Sequence, residues 1–159
     1  MVKAGDGHIL LRRGERCGLI HHMTKEEAFE KLEHSRFRSS FHLAPGDVSK
    51  VRQLGEAKLR EHVTDFVRSK LADAMPRNDG KQTPYRGHPA FKAMHACAMC
   101  CRGCMNRWWN VPRNVALSAG QQKKVVDFLM VWIAREMSAT CGTNRTVNRK
   151  SWALGAAEG

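Results

Sequence analysis

Ala119-Gly120-Gln121-Gln122-Lys123-Lys124-Val125-Val126-Asp127-Phe128-Leu129-Met130-Val131-Trp132-Ile133-Ala134-Arg135-Glu136-Met137 argues for a buried helix. Val125, Val126, Phe128, Leu129, Met130, Val131, Trp132 and Ile133 leave almost no polar face, and a helix that is apolar nearly all round belongs at the centre of a fold. Ser118-Ala119-Gly120-Gln121 resembles a capping box at its start. After Ser138 the chain turns to Gly, Thr, Asn and Arg with no period, and a mobile tail is expected there.

A central helix needs partners, and the sequence upstream supplies them. Residues 56–73 carry Leu59, Val63, Phe66, Val67 and Leu71 on one side and Lys58, Arg60, Arg68 and Lys70 on the other, an amphipathic pattern. Before it, Val48, Val51 and Leu54 give a short helical stripe that follows Pro45-Gly46-Asp47 and ends near Gly55. Thr24-Lys25-Glu26-Glu27 is a capping box, and Ala28, Phe29 and Leu32 form the apolar side of the helix it opens. Residues 1–23 lack a period and contain Gly5, Gly7, Gly14 and Gly18, which suits an irregular arm. Residues 76–89 read as a loop, with Asn78-Asp79-Gly80 favouring a tight turn. No strand pair or internal repeat is visible. The expected class is therefore mainly α, a small single-domain helical fold. Its expected parts are an extension over residues 1–33, a metal-binding core over 34–137 and a flexible basic tail over 138–159.

The chain has 159 residues and six cysteines, and its net charge is +12. No run of apolar residues is long enough to span a bilayer, and Arg12-Arg13 is not followed by a signal-peptide pattern. A cytoplasmic protein without a membrane segment is expected. The positive charge is uneven: residues 1–34 carry six basic and six acidic groups, whereas residues 35–110 carry 14 basic and six acidic. Such an excess suits a polyanionic partner, most simply nucleic acid. Arg36, Arg38, Lys81, Arg86, Arg102 and Arg107 are the candidate contacts.

In a reducing compartment, clustered cysteines serve as thiols or metal ligands more often than as disulfides. Four of the six lie in the run Cys97-Ala98-Met99-Cys100-Cys101-Arg102-Gly103-Cys104, with His88 and His95 just before it. Thiolate and imidazole are the ligands that zinc takes in a tetrahedron. At about 100° per residue, a straight helix would set His88 and His95 on one face and Cys100 and Cys104 on another. The chain must therefore bend around residues 96–100, or the ion must join two elements. The candidate ligands are His88, His95, Cys100, Cys101 and Cys104. Three other readings stand beside zinc: small buried cysteines, an iron–sulfur cluster, and a redox Cys101-x-x-Cys104 pair, for which no βαβ context exists.

Neither histidine is followed by the glutamate of a zinc deaminase, and Cys100, not proline, precedes Cys101. No H-E-x-x-H, phosphate-binding loop or G-x-S-x-G occurs. Asp79 and His95 remain weak catalytic candidates, Asp79 already being explained by its turn. Trp108 and Trp109 suit packing over a small core more than base stacking.

Taken together, Arg36-Phe37-Arg38-Ser39, Asn78-Asp79-Gly80-Lys81-Gln82-Thr83-Pro84, Arg86-Gly87-His88-Pro89, His95, Cys100-Cys101-Arg102-Gly103-Cys104 and Trp108 resemble the bacterial and phage family called domain of unknown function 4186. The resemblance covers about residues 34–137. It implies one unit in which the 78–84 loop, His88, His95 and the cysteines belong together, and it implies no activity. Relatives usually have Gln at the Met94 position, Thr at the Cys97 position and His at the Trp109 position. The resemblance thus demotes Cys97 as a ligand, which weakens a four-cysteine iron–sulfur model, and removes a histidine at 109. Three functions remain open. They are a zinc-stabilised basic module that binds nucleic acid or a complex handling it, a metal-dependent enzyme on nucleic acid or nucleotide, and a phage or mobile-element effector that inhibits a host protein complex.

Overall fold

Ser118 starts the central helix by the reciprocal bonds of a capping box: its Oγ accepts from Gln121 N (3.2 Å) and Gln121 Oε1 accepts from Ser118 N (2.8 Å). In the computed structural model, which describes residues 23–142, the chain forms α1 (Lys25–Glu33), a 3-10 turn (Arg38–Ser40), α2 (Pro45–Leu71), α3 (Pro89–Ala96), α4 (Arg102–Trp109) and α5 (Ala119–Gly142). No strand occurs among the described residues. The class is mainly α, as the periodicity requires.

Helix α5 packs on both α2 and α3 and buries Val125, Val126, Phe128, Leu129, Met130, Trp132 and Ile133. Fully burying an apolar side chain of this size stabilises by roughly 1.5–3 kcal/mol before ordering costs are counted. The helix does not stop at 137. It continues to Gly142, so the first residues expected in a mobile tail form its last turn. The rest of that tail, and residues 1–22 of the expected arm, lie outside the described residues.

The two stripes expected at 48–54 and 56–73 run end to end as α2, with a break between them. Gly55 sits at φ 74°, ψ 168°, a backbone conformation open essentially to glycine alone. The break lets Val48 and Val51 before it and Leu59, Val63, Val67 and Leu71 after it face one core. Pro45 opens the helix, and Asp47 Oδ2 accepts from Ala44 N (2.9 Å).

Thr24 and Glu27 cap α1 reciprocally. The helix is no appendage: Ala28, Phe29 and Leu32 are buried, and Phe29 stacks on Phe128 of α5 with ring centres 4.6 Å apart. The packed unit therefore begins before residue 34.

The bend required between the histidines and the cysteines is present. Helix α3 ends at Ala96, Ala98 takes the left-handed conformation (φ 54°), and α4 begins at Arg102. The irregular 72–88 segment lies over this bend and is tied to it by Thr83, whose Oγ1 donates to Cys100 O (2.7 Å).

Candidate metal centre

The bend gathers three sulfurs. Those of Cys100, Cys101 and Cys104 all lie within 4.8 Å of one another, the sole such group of three or more His, Cys, Asp or Glu donors among the described residues. Tetrahedral zinc, with Zn–S bonds near 2.3 Å, sets its sulfurs about 3.8 Å apart. A small contraction therefore lets the three sulfurs hold one metal ion. Cys101 is the N-cap of α4, and its Sγ accepts from Cys104 N (3.3 Å). Both C-x-x-C sulfurs thus sit in the first turn of a helix, whose partial positive charge favours thiolate.

Arg38 completes the charge balance. From the 3-10 turn it enters the core, donating from Nη2 to Cys104 Sγ (3.1 Å), from Nη1 to Cys100 Sγ (3.7 Å) and from Nη1 to His95 O (2.7 Å). A divalent ion with three thiolates carries one negative charge, and one guanidinium offsets it. The sulfurs already share their protons unequally. Hydrogen bonds from the Cys100 and Cys101 thiols, and then from Arg38, hold Cys104 far below the ordinary thiol range. Donation to Cys101 and Cys104, together with burial, pushes Cys100 far above it. An ion that entered such a set would displace the remaining protons.

Neither histidine joins the three sulfurs. His88 caps α3: its Nδ1 accepts from Ala90 N (3.1 Å), so its proton resides on Nε2, which donates to His62 Nδ1 (3.1 Å). Both ring nitrogens are in use. Burial, then Lys50 and His62, lower its pKa to about 4. His95 Nε2 faces two carbonyls, Thr83 O (3.1 Å) and Pro84 O (3.2 Å), and since carbonyls only accept, that nitrogen carries the proton. Burial also lowers the His95 pKa from its ordinary value. The expected pairing of His88 or His95 with the cysteines is replaced by a cysteine trio backed by Arg38.

Cys97 stands outside the trio, fully buried, its thiol pushed up by burial. Its carbonyl accepts from Trp109 Nε1 (2.9 Å), so Trp109 is a packing residue. Asp79 has a structural task as well. Its carboxylate accepts from Arg102 N (2.8 Å) and Gly103 N (3.2 Å), capping α4 from the loop, and meets Arg113 at 3.3 Å.

Two expected nucleic-acid contacts are corrected. Arg102 is 2% exposed, and its guanidinium donates to the carbonyls of Leu71, Asp73, Pro112 and Val115, pinning the ends of two segments together. Arg38 is buried at the sulfurs. Arg36, Lys81, Arg86 and Arg107 are exposed. Sequence reasoning missed the role of Arg38 at the sulfurs and that of His62 as the partner of His88. For Arg38 the available signal was its place in the family-like run Arg36-Phe37-Arg38-Ser39. For His62, half-buried beside Leu59 and Phe66 on the apolar side of α2, helical spacing gave its face but not its partner.

No helix among the described residues is long and apolar enough to cross a membrane. No solved structure matches the chain. The sequence profile of the family described as Domain of unknown function (DUF4186) matches residues 26–134, which takes in all of α1 but its first residue, the Arg38 turn and the whole cysteine trio. The chain belongs to that family.

Proposed function

We propose that this protein is a zinc-stabilised helical module whose basic surface binds nucleic acid. The observation that carries the metal half is the buried Arg38 guanidinium on two of three convergent sulfurs. A cation buried against thiols is favourable when they carry negative charge, the state in which they bind metal. Zinc is the ion favoured by an all-thiolate set on a bent chain. The charge of +12 and the exposed Arg36, Lys81, Arg86 and Arg107 support the nucleic-acid half.

Elemental analysis of freshly purified protein is expected to give one zinc per chain, and Cys104→Ser to lose most of it. The loaded protein is expected to bind oligonucleotides with an affinity that falls steeply as salt rises. Metal-free wild-type protein with freely reactive Cys100, Cys101 and Cys104 would sink the metal half; binding that ignores salt, or no binding, would sink the other.

A second reading has one observation in its favour: three protein ligands is the count found in catalytic zinc sites. It requires a general base beside the ion. The nearest carboxylate named above, Asp79, is engaged by two backbone N–H groups, and His95 Nε2 by two carbonyls. Those engagements favour the architectural role.

A further inference from the structure

An aromatic ladder stands next to the sulfurs, and the metal site does not use it. Tyr85 stacks on His95 with ring centres 4.1 Å apart and planes 7° apart. Phe41 lies nearly parallel to both, 5.4 Å from His95 and 6.2 Å from Tyr85. Rings stacked on opposite faces of His95 would be separated by about 7 Å, at roughly 3.5 Å per contact between carbon atoms. The 6.2 Å distance is shorter, so His95 is not sandwiched between them. Tyr85 has one face on the imidazole and remains 59% exposed, so its other face is open. Phe37 stands edge-on to Phe41 (5.2 Å, 88°) and is 52% exposed.

Single exposed apolar rings are ordinary, but adjoining ones form the kind of patch that marks a binding surface. The ring beneath Tyr85 is held in place: His95 is buried and fixed by the Thr83 and Pro84 carbonyls on its ring and by Arg38 on its own carbonyl. Tyr85 and Phe41 border a groove of about 600 Å³ that Arg86 and Lys92 also line. The one acidic residue lining it, Asp47, is held by Lys92 at 2.6 Å. Arg86 follows Tyr85 directly and is exposed, and Arg36 precedes Phe37 and is exposed. A flat, half-exposed ring that shares its groove with an exposed guanidinium matches the chemistry of an unpaired nucleobase and its phosphates. The base stacks on the ring while guanidinium groups meet the backbone. A duplex, whose bases are already stacked on one another, offers the ring nothing.

We infer that Tyr85, supported by His95 and Phe41, is a stacking platform for an unpaired nucleobase, so that the protein's nucleic-acid partner is single-stranded. This deepens the proposed function and rests on it. Tyr85 is the single tyrosine of the chain, so protein labelled with 3-fluorotyrosine gives one fluorine resonance that reports this ring alone.

The test uses the full, metal-loaded chain and fluorescently labelled 12-nucleotide oligomers: single-stranded RNA, single-stranded DNA, and the DNA duplex of the same sequence. The single strands are expected to bind at least tenfold more tightly than the duplex and to move the fluorine resonance, which the duplex leaves in place. Tyr85→Ala is expected to weaken single-strand binding about tenfold, the scale of one lost base stack. It should leave duplex binding unchanged, while Tyr85→Phe keeps wild-type binding. Comparing the RNA and DNA arms tells which strand is preferred. Equal, salt-sensitive binding of strand and duplex with an unmoved resonance would overturn the platform and leave the proposed function standing. No binding to any oligomer would overturn both.

Discussion

His88 shows how one side chain can be read from its spacing as a metal ligand and from its hydrogen bonds as something else. Its two ring nitrogens face an amide that donates and a histidine that accepts, an arrangement that only the neutral imidazole satisfies. Its pKa is about 4 in the fold against an ordinary value of 6.5. Between these pH values the unfolded chain takes up a proton that the folded chain refuses, so stability falls as pH falls through that window and is complete above it. By pH 5 this residue alone is expected to cost about 2 kcal/mol relative to pH 7. Urea titrations at the two pH values measure the loss. His88→Asn, which keeps an acceptor at the cap, should shrink it; an unchanged loss in that variant would clear His88 of responsibility. Sequence spacing suggested that this histidine meets the cysteines, and it does not. Nor could spacing carry the partner of each nitrogen, because His62 reaches it across 26 residues.

At the scale of elements, the helices were legible because their apolar positions repeat. Leu59, Val63, Phe66, Val67 and Leu71 mark one face whatever they pack against. The break at Gly55 was legible too, since a glycine inside such a pattern signals a stop. The length of α5 was not: its last turn, through Thr140 and Cys141, lacks an apolar stripe and is held by continuation of the helix. Gly55 offers a clean test. Nothing lies within 4 Å of the position a Cβ would take there, so Gly55→Ala meets no clash. It is nonetheless expected to destabilise the fold by about 1–3 kcal/mol, from backbone strain alone. A denaturation midpoint equal to or above that of the wild type would show that the two halves of α2 tolerate a straight helix.

For the whole molecule, the core, the trio and α1 are one packed unit among the described residues. Phe29 stacks on Phe128, Trp109 meets Phe128 edge-on at 5.7 Å, and Lys31 Nζ reaches Trp108 O (2.8 Å). The sequence suggested a separate extension because the capping box at Thr24 opens a short helix before a stretch without period. Its attachment depends on a ring contact between residues 29 and 128, which no local pattern carries. Phe29→Ala is expected to cost about 3–5 kcal/mol, the usual range for emptying a buried aromatic site. Chemical denaturation checks it, and a loss below about 1 kcal/mol, the scale of an ordinary surface change, would return α1 to the status of an appendage. The trio was legible as a cluster, but not its composition. Its charge partner, Arg38, comes from 62 residues upstream of Cys100. That guanidinium has two clients, the sulfurs and the carbonyl of the residue beneath Tyr85. On the proposed function, an ion that drew the sulfurs inward would shift Arg38, and through it His95. Linkage would then be reciprocal: by whatever factor the ion changed the grip on a stacked base, the base would change the retention of the ion by the same factor.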